Sequence, residues 1–268
     1  MKNYEKNDYV SVIDDLYDTL KKNNVEYNLD DFSCFKAITA RKAGNSFGFS
    51  AHLSGAVFAL LGSQRTWEGI KNNYNNLCDI FHQFDRELFE YTTVDSIIVQ
   101  IKSIKCGNKN IKSQMEGLPS IIRTFSKIER DYGSLDNFIL HDTPVNVATI
   151  LIKSKEYKLR GLGPSLVFDY MRNVGIDIAK PDTHLMRLFG SERLGFFDTA
   201  NSNQFDVIEL IDKMAKAVNT SPAILGTTFW MLCSRGYGNI CGATPQCEKC
   251  NFKNTICSFR KGTSNADN

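Results

Sequence analysis

Four cysteines near the C-terminus are the residues whose spacing most clearly indicates chemistry. They occupy the stretch CGATPQCEKCNFKNTIC, residues 241–257, in the pattern C-x5-C-x2-C-x6-C. Structural zinc sites usually combine two close C-x2-C pairs, whereas one close pair is bracketed here by two lone cysteines. This layout favours a cubane [4Fe–4S] cluster over zinc, because four thiolates must approach a cubane from different directions. The predicted ligands are Cys241, Cys247, Cys250 and Cys257.

The other four cysteines are scattered through the chain, mostly beside apolar residues. We predict that they are small buried hydrophobic residues rather than disulfide partners. The N-terminal stretch is polar and lacks the apolar core of a signal peptide, and no run of 18 apolar residues exists. We therefore expect a cytoplasmic protein without a membrane span, in a reducing compartment where disulfides are rare. These scattered residues are Cys34, Cys78, Cys106 and Cys233.

A carboxylate precedes a short apolar helix in the stretch KPDTHLMRLFG. Asp182 stands at the position of a helix N-cap, and capping alone would explain it. The same position could serve chemistry, because the helix dipole and the exposed N–H groups keep a carboxylate ionised. An anion held in this way can stabilise positive charge that develops on a substrate. These residues alone leave capping and catalysis both open.

A glycine-rich turn between two helices is the third feature. In LRGLGPS, Gly161 and Gly163 flank Leu162, and Pro164 opens the next helix. Such a turn can direct backbone N–H groups outward at a helix N-terminus, where they bind a phosphate oxygen without contacting any base. A plain connection between helices is the alternative.

Charge is distributed unevenly, although the net charge is only +2. Residues 1–32 carry four Lys and eight acidic residues, whereas residues 100–130 carry seven Lys or Arg and two Glu. Basic charge also exceeds acidic charge over residues 151–195 and 241–268. This distribution is compatible with a polyanionic partner such as DNA. Ordinary solvated helix faces would explain it as well.

Helical periodicity dominates the elements that must position these residues. Residues 8–23 place apolar side chains on one helical face, and residues 50–63 predict a buried helix. A helix is predicted over residues 66–81, and another with Pro119 in its first turn and Gly133 at its end. Residues 23–50 show no clear period. The pattern predicts an all-α protein of about ten helices.

The order of these motifs resembles one protein family. The hairpin LRGLGPS, then PDTH, then the cysteines after FWMLCSRGYGNIC resemble the helix-hairpin-helix superfamily of DNA base-excision glycosylases, in the endonuclease III-like branch with a C-terminal iron-sulfur cluster. The resemblance covers roughly residues 50–260. The cysteine spacing departs from the usual C-x6-C-x2-C-x5-C of that branch by one residue in the inner pair.

The resemblance implies two all-α lobes with DNA bound in the cleft between them. One lobe would comprise residues 45–176 and contain the hairpin. The other would combine residues 1–44, an N-terminal helix and an irregular segment, with residues 177–262 and the cluster loop. Residues 263–268 are predicted to form a disordered tail.

The resemblance also implies an activity and its alternatives. A damaged or mismatched base would be flipped from double-stranded DNA, and its N-glycosidic bond hydrolysed while Asp182 stabilises the oxocarbenium-like transition state. Ser165 stands where bifunctional members carry a Schiff-base lysine, which favours a monofunctional enzyme. A displaced lysine would instead give a bifunctional lyase, and a non-catalytic DNA-damage-binding module is a further alternative. Ala59 stands where adenine-excising relatives carry a Glu, which disfavours that specificity. The candidates for the displaced lysine are Lys153, Lys155 and Lys158.

DNA contacts follow from the same resemblance. The segment LLGSQRTW places Gln64 where the family fills the gap left by the flipped base. The segment KCGNKNIKSQ lies where the family places a wedge loop. Asn108 or a neighbouring residue would enter the duplex there and Lys112 would meet a phosphate, although these could be ordinary loop residues. We expect a monomer associated with the nucleoid through DNA. The hairpin residues predicted to bind DNA are Gly161, Leu162, Gly163 and Ser165.

Overall fold

The computed structural model describes residues 5–26, 28–63, 67–90 and 92–259, and no strand occurs in these ranges. Gln64 and the predicted tail over residues 263–268 lie outside them. The all-α prediction is confirmed. In chain order the helices are α1 (Lys6–Lys22), α2 (Ser33–Lys42), α3 (Phe49–Leu61), α4 (Trp67–Lys71), α5 (Tyr74–Ile80), α6 (Arg86–Glu90), α7 (Val94–Ser103), α8 (Ile111–Tyr132), α9 (Leu135–Leu140), α10 (Pro144–Lys153), α11 (Pro164–Asn173), α12 (Thr183–Phe189), α13 (Gln204–Ala217) and α14 (Pro222–Cys233).

The helices form two compact units. Met1–Phe32 and Asp177–Asn268 make up one, which we call the terminal unit, and Ser33–Ile176 make up the other, the central unit. Four short 3-10 helices complete the secondary structure of the described ranges, at Leu29–Asp31, His82–Phe84, Cys247–Lys249 and Asn251–Asn254. Within those ranges, no helix combines the length and apolar character that a membrane span requires.

The core of the central unit is built on α3, as the apolar sequence of residues 50–63 predicts. Helix α3 packs against α11 and α8. At the closest approach, a Cβ on Gly55 would lie 3.0 Å from Val174 Cγ1 and 3.5 Å from the Tyr170 ring. A glycine is therefore needed for α11 to pack so closely against α3. This contact sets the position of the hairpin, because α11 is the helix that the hairpin opens.

Residues 33–44 belong to the central unit, although the sequence predicted that they would pack with the N-terminal segment in the other lobe. They form α2, which the aperiodic sequence did not predict, and α2 packs against α11. Arg41 Nη2 donates to Val174 O at 2.6 Å. A Cβ on Gly175 would lie only 2.7 Å from Ala37 O, so the absence of a side chain there admits the α2 backbone. These contacts between residues distant in sequence attach α2 to this unit.

Two helix boundaries also differ from their predictions. The segment predicted as one helix over residues 66–81 contains two helices in its described part, α4 and α5, which are separated at Asn72 and Asn73. Helix α8 begins at Ile111, so Pro119 lies inside it rather than in its first turn. The apolar positions of α8 continue upstream of the proline at helical spacing, which explains the longer helix. Gly133, with φ of +81°, ends α8 as predicted.

The terminal unit surrounds α14, which is apolar along most of its length. Helices α1, α12 and α13 pack against α14, and α1 also packs against the 3-10 helix Asn251–Asn254 of the cysteine segment. The predicted burial of the four scattered cysteines is confirmed in both units. The N-terminal helix thus contributes directly to the environment of the cysteine segment.

Candidate functional site

Asp182 caps the N-terminus of α12. Its Oδ1 accepts hydrogen bonds from the N–H of His184 at 2.9 Å and of Leu185 at 3.2 Å. The capping prediction is therefore confirmed. Among the described residues no donor reaches Oδ2, and the residue is half-buried. One carboxylate oxygen is held by the helix, and the other is left for an external group.

The segment that carries Asp182 is anchored on α14. Oδ1 of Asp177 accepts from the N–H of Ala223 at 3.2 Å and also from the hydroxyl of Ser221. Further along, a Cβ on Gly226 would lie 2.6 Å from Ala179 Cβ, so the segment passes directly over this glycine. Both contacts fix the backbone just ahead of Asp182, which places the carboxylate reproducibly.

Helix α12 is also tied to the first cysteine of the cluster segment. Arg187 Nη2 donates to His184 Nδ1 at 3.2 Å and lies 3.5 Å from Cys241 O. Because arginine only donates, His184 Nδ1 must accept, and the neutral imidazole then carries its proton on Nε2. Burial lowers the pKa of His184, with Arg187 acting in the same direction and Asp182 opposing. His184 is therefore held neutral between the candidate carboxylate and the arginine.

The four clustered cysteines line one small pocket, together with Arg193, Pro245 and Lys253. No three His, Cys, Asp or Glu side chains in the described ranges converge closely enough to hold a single metal ion. Hydrogen bonding from Cys233, aided by the guanidinium of Arg193, lowers the pKa of Cys241 to about 7. Burial raises the pKa of Cys250 to about 12.

Helix α1 holds the cysteine segment at three points. Thr19 Oγ1 accepts from the N–H of Asn251 at 3.1 Å. Thr255 Oγ1 donates to Asp15 Oδ2 at 2.8 Å, and Asn23 Nδ2 donates to Lys249 O at 2.9 Å. The loop between the second and fourth cysteines therefore depends on the N-terminal helix for its conformation. The acidic composition of residues 1–32 gave no indication of this role.

The hairpin has the predicted turn. Gly161 has φ of +89°, a conformation that favours glycine. Gly163 is the N-cap of α11 with φ of −75° and ψ of 176°, which any residue adopts, and Pro164 follows at the first helical position. Nothing lies within 4 Å of a Cβ built on either glycine. Neither the backbone conformation nor internal packing explains the glycine at position 163, so the open space suits an external group.

The remaining predicted DNA contacts lie in different settings. Asn108 Nδ2 donates to Leu60 O at 3.2 Å and to Gln114 Oε1 at 3.0 Å, so its amide ties the loop before α8 to the end of α3. Lys112 is 76% exposed and only 3.8 Å from Glu116. Ser165 lies half-buried in the first turn of α11, and Leu162 is buried. Lys153, Lys155 and Lys158 are exposed.

A buried polar network in the central unit was not predicted. Arg41 Nη2 donates to Asp136 Oδ1 at 2.6 Å, and the N–H of Phe47 donates to Asp136 Oδ2 at 3.0 Å. The fully buried His52 links Tyr170, at 2.7 Å, to Asp136, at 3.4 Å. Burial opposes ionisation of Asp136, yet hydrogen bonds from His52 and Arg41 hold its pKa well below the usual range. The four side chains join α2, α3, α9 and α11, which indicates a structural role.

Comparisons with known proteins bear on the fold. No model of a protein family matches the sequence, and no characterised protein is significantly similar to it. Among solved structures, the chain is similar to the 8-oxoguanine DNA glycosylase of Thermotoga maritima, with a TM-score of 0.57 and 16% sequence identity. The match covers 84% of this chain and 96% of that chain. The chain therefore shares its all-helical fold with that enzyme.

Proposed function

We propose that this protein is a monofunctional DNA glycosylase of base-excision repair. It would hydrolyse the N-glycosidic bond of a damaged or mismatched base that has been flipped out of double-stranded DNA. The observation that carries the proposal is the carboxylate of Asp182, which caps α12 through Oδ1 and has no donor on Oδ2 among the described residues. The shared fold with a DNA glycosylase supports the same class of reaction.

Asp182 would act by electrostatic stabilisation. As the bond between the sugar and the base breaks, positive charge develops on the sugar ring. The two N–H groups of α12 hold the carboxylate in place before the reaction begins, so little reorganisation is needed as the charge appears. Oδ2 would face the sugar and orient the attacking water. The base then leaves, and an abasic site remains.

The chemistry would stop at base removal. Strand cleavage by this class of enzyme requires an amine that attacks C1′ and forms a Schiff base. The first turn of α11 presents Ser165, whose hydroxyl forms no imine. The hairpin itself would bind the DNA backbone, because Gly161 and Gly163 leave open space in which a phosphate can approach the N-terminus of α11.

We further propose that the four cysteines bind a [4Fe–4S] cluster. They line one pocket without converging on a single point, and each thiolate of a cubane binds a different iron. Binding would require all four thiols to be deprotonated, including that of the half-buried Cys250. The cluster would fix the loop structurally and leave no thiolate available for nucleophilic chemistry. Lys249 and Lys253 on this loop would then be positioned to meet DNA phosphates.

A panel of duplexes, each with a single lesion, tests the activity directly. The panel should include 8-oxoguanine, on which the structurally similar enzyme acts, together with uracil or thymine mismatches, oxidised pyrimidines and alkylated purines. We expect one class of lesion to yield a free base and an abasic strand that breaks only after alkaline treatment. Binding to an abasic analogue without release of any base would instead favour a non-catalytic damage-binding module.

A further inference from the structure

Arg193 is a buried arginine beside the four cysteines, and the reaction proposed above does not use it. It is 6% exposed and lines the cysteine pocket. Its guanidinium lies over the ring of Phe259, 4.2 Å from the centroid, and Nη1 donates to Glu192 O at 2.9 Å. Its backbone is fixed as well, because Arg193 O accepts from the N–H of Ser258 at 2.7 Å. The side chain is thus held against the segment that carries the last cysteine.

The charge of Arg193 has no carboxylate partner. Its Nε is buried and has no hydrogen-bond partner, and none of the ion pairs among the described residues includes it. An isolated charge in a protein interior is strongly unfavourable unless an opposite charge lies nearby. The groups that share its pocket are the thiols of the four cysteines. A neutral pocket of four thiols would leave this cation uncompensated.

We propose that Arg193 is the buried counter-cation of a [4Fe–4S] centre at the four cysteines, and that it sets the reduction potential of that centre. This inference rests on the cluster proposed above, but not on the glycosylase activity. An oxidised cubane with four thiolates is a doubly negative complex, which supplies the missing counter-charge. A positive charge and hydrogen bonds near the sulfurs favour the more negative, reduced state and raise the potential. Arg193 is therefore a positioning and tuning residue rather than a catalytic one.

The test compares wild type, Arg193→Gln and Arg193→Lys, with the exposed Arg235→Gln as a matched control in the same unit. Each protein is reconstituted anaerobically with ferrous iron and sulfide. Iron content, visible absorbance and the midpoint potential of the cluster are then measured. Arg193→Gln should lower the equilibrium constant for one-electron reduction at least tenfold, which corresponds to about 59 mV. Arg193→Lys keeps the charge and should remain close to wild type, as should Arg235→Gln.

Chemical unfolding of the metal-free and cluster-bound proteins tests the same role if Arg193→Gln binds the cluster poorly. In the metal-free proteins, removing an uncompensated cation should leave the midpoint of chemical unfolding unchanged or raise it. In the cluster-bound proteins, the same substitution should lower the midpoint. A potential and iron content equal to wild type in Arg193→Gln would overturn the role of Arg193 alone. An equal decrease of the unfolding midpoint in Arg193→Gln and Arg193→Lys, with and without metal, would also overturn the role of Arg193. A wild-type protein that takes up no cluster would overturn the cofactor proposal and this inference together.

Discussion

Replacing Gly163 by alanine should weaken DNA binding without disturbing the fold. Gly163 has an extended backbone conformation that alanine adopts freely, and nothing lies within 4 Å of the added methyl group. The substitution therefore changes only the space in front of the N-terminus of α11. If a phosphate approaches the backbone there, the methyl group lengthens or removes one hydrogen bond to a charged group.

The expected magnitude follows from that single contact. A hydrogen bond to a charged group contributes about 1.5–3 kcal/mol, and about 1.4 kcal/mol corresponds to a tenfold change in the dissociation constant. We therefore expect Gly163→Ala to raise the dissociation constant for duplex DNA roughly 10- to 100-fold. Fluorescence anisotropy with a duplex that contains an abasic analogue, at one fixed salt concentration, measures it directly.

Gly48 provides a matched control. It is the N-cap of α3, with φ of −79° and ψ of 179°, and an alanine methyl group at this position would likewise have nothing within 4 Å. Its carbonyl accepts the first helical hydrogen bond at 3.1 Å, as that of Gly163 does at 3.0 Å. Both alanine variants should therefore lose the same small amount of stability. If Gly163→Ala binds DNA as tightly as Gly48→Ala, the hairpin is not the phosphate-binding element.

Three further predictions concern the supporting structure. Asp136→Ala should lower the free energy of unfolding by about 3–5 kcal/mol because it removes the carboxylate partner of Arg41. Glu116→Ala, in an exposed ion pair, should lower it by less than about 1 kcal/mol. Urea unfolding measures both changes, and equal decreases would contradict the prediction. The pKa values of both His52 and Asp136 are depressed in the folded protein. The free energy of unfolding should therefore decrease as the pH drops below about 6.5, where His52 takes up a proton more readily in the unfolded chain, and should decrease further below about pH 4, where Asp136 does the same. A free energy of unfolding that increases on acidification would refute this assignment. Thr19→Val removes the acceptor for Asn251 N–H and should speed the loss of iron to a chelator roughly tenfold. The control Thr39→Val, at an exposed position, should lose iron at the wild-type rate. Equal rates in the two variants would show that α1 does not support the cluster loop.

The local elements of this fold could be predicted from the sequence, because their signals lie within a few residues. Pro164 after Gly163 marks the start of α11, Gly133 marks the end of α8, and Asp182 is the cap that its position suggests. Each of these depends on backbone geometry that the residue itself restricts. Local signals identify Asp182 as a cap, whereas its candidate catalytic role came from the resemblance of PDTH to the glycosylase family.

Features that depend on distant partners could not be predicted. In its buried network, Asp136 bonds to His52, which is 84 residues away in sequence, and to Arg41, which is 95 residues away. The attachment of helix α2 includes a close approach of its backbone to Gly175, a contact between residues distant in sequence. The sequence left open whether Asn108 enters DNA or is an ordinary loop residue, and it gave no sign that the Asn108 amide bonds to the end of α3. In each case the sequence gives the residue types, and only the tertiary structure shows which partners they bond to or pack against.

Single-turnover release of the base by Asp182→Asn measures whether the carboxylate of Asp182 drives cleavage of the glycosidic bond. Asparagine is as good an N-cap as aspartate and can accept the same bonds from His184 and Leu185, so the variant should fold normally. Asp85, whose Oδ1 likewise accepts from two backbone N–H groups at 2.8 and 3.1 Å, gives the matched control Asp85→Asn. On the lesion that the wild type excises, we expect Asp182→Asn to release the base about 10²–10³-fold more slowly. Its dissociation constant for DNA should stay within a few-fold of wild type. Asp85→Asn should match wild type in both measurements. Excision by Asp182→Asn at the wild-type rate would show that Asp182 is not the group that stabilises the transition state.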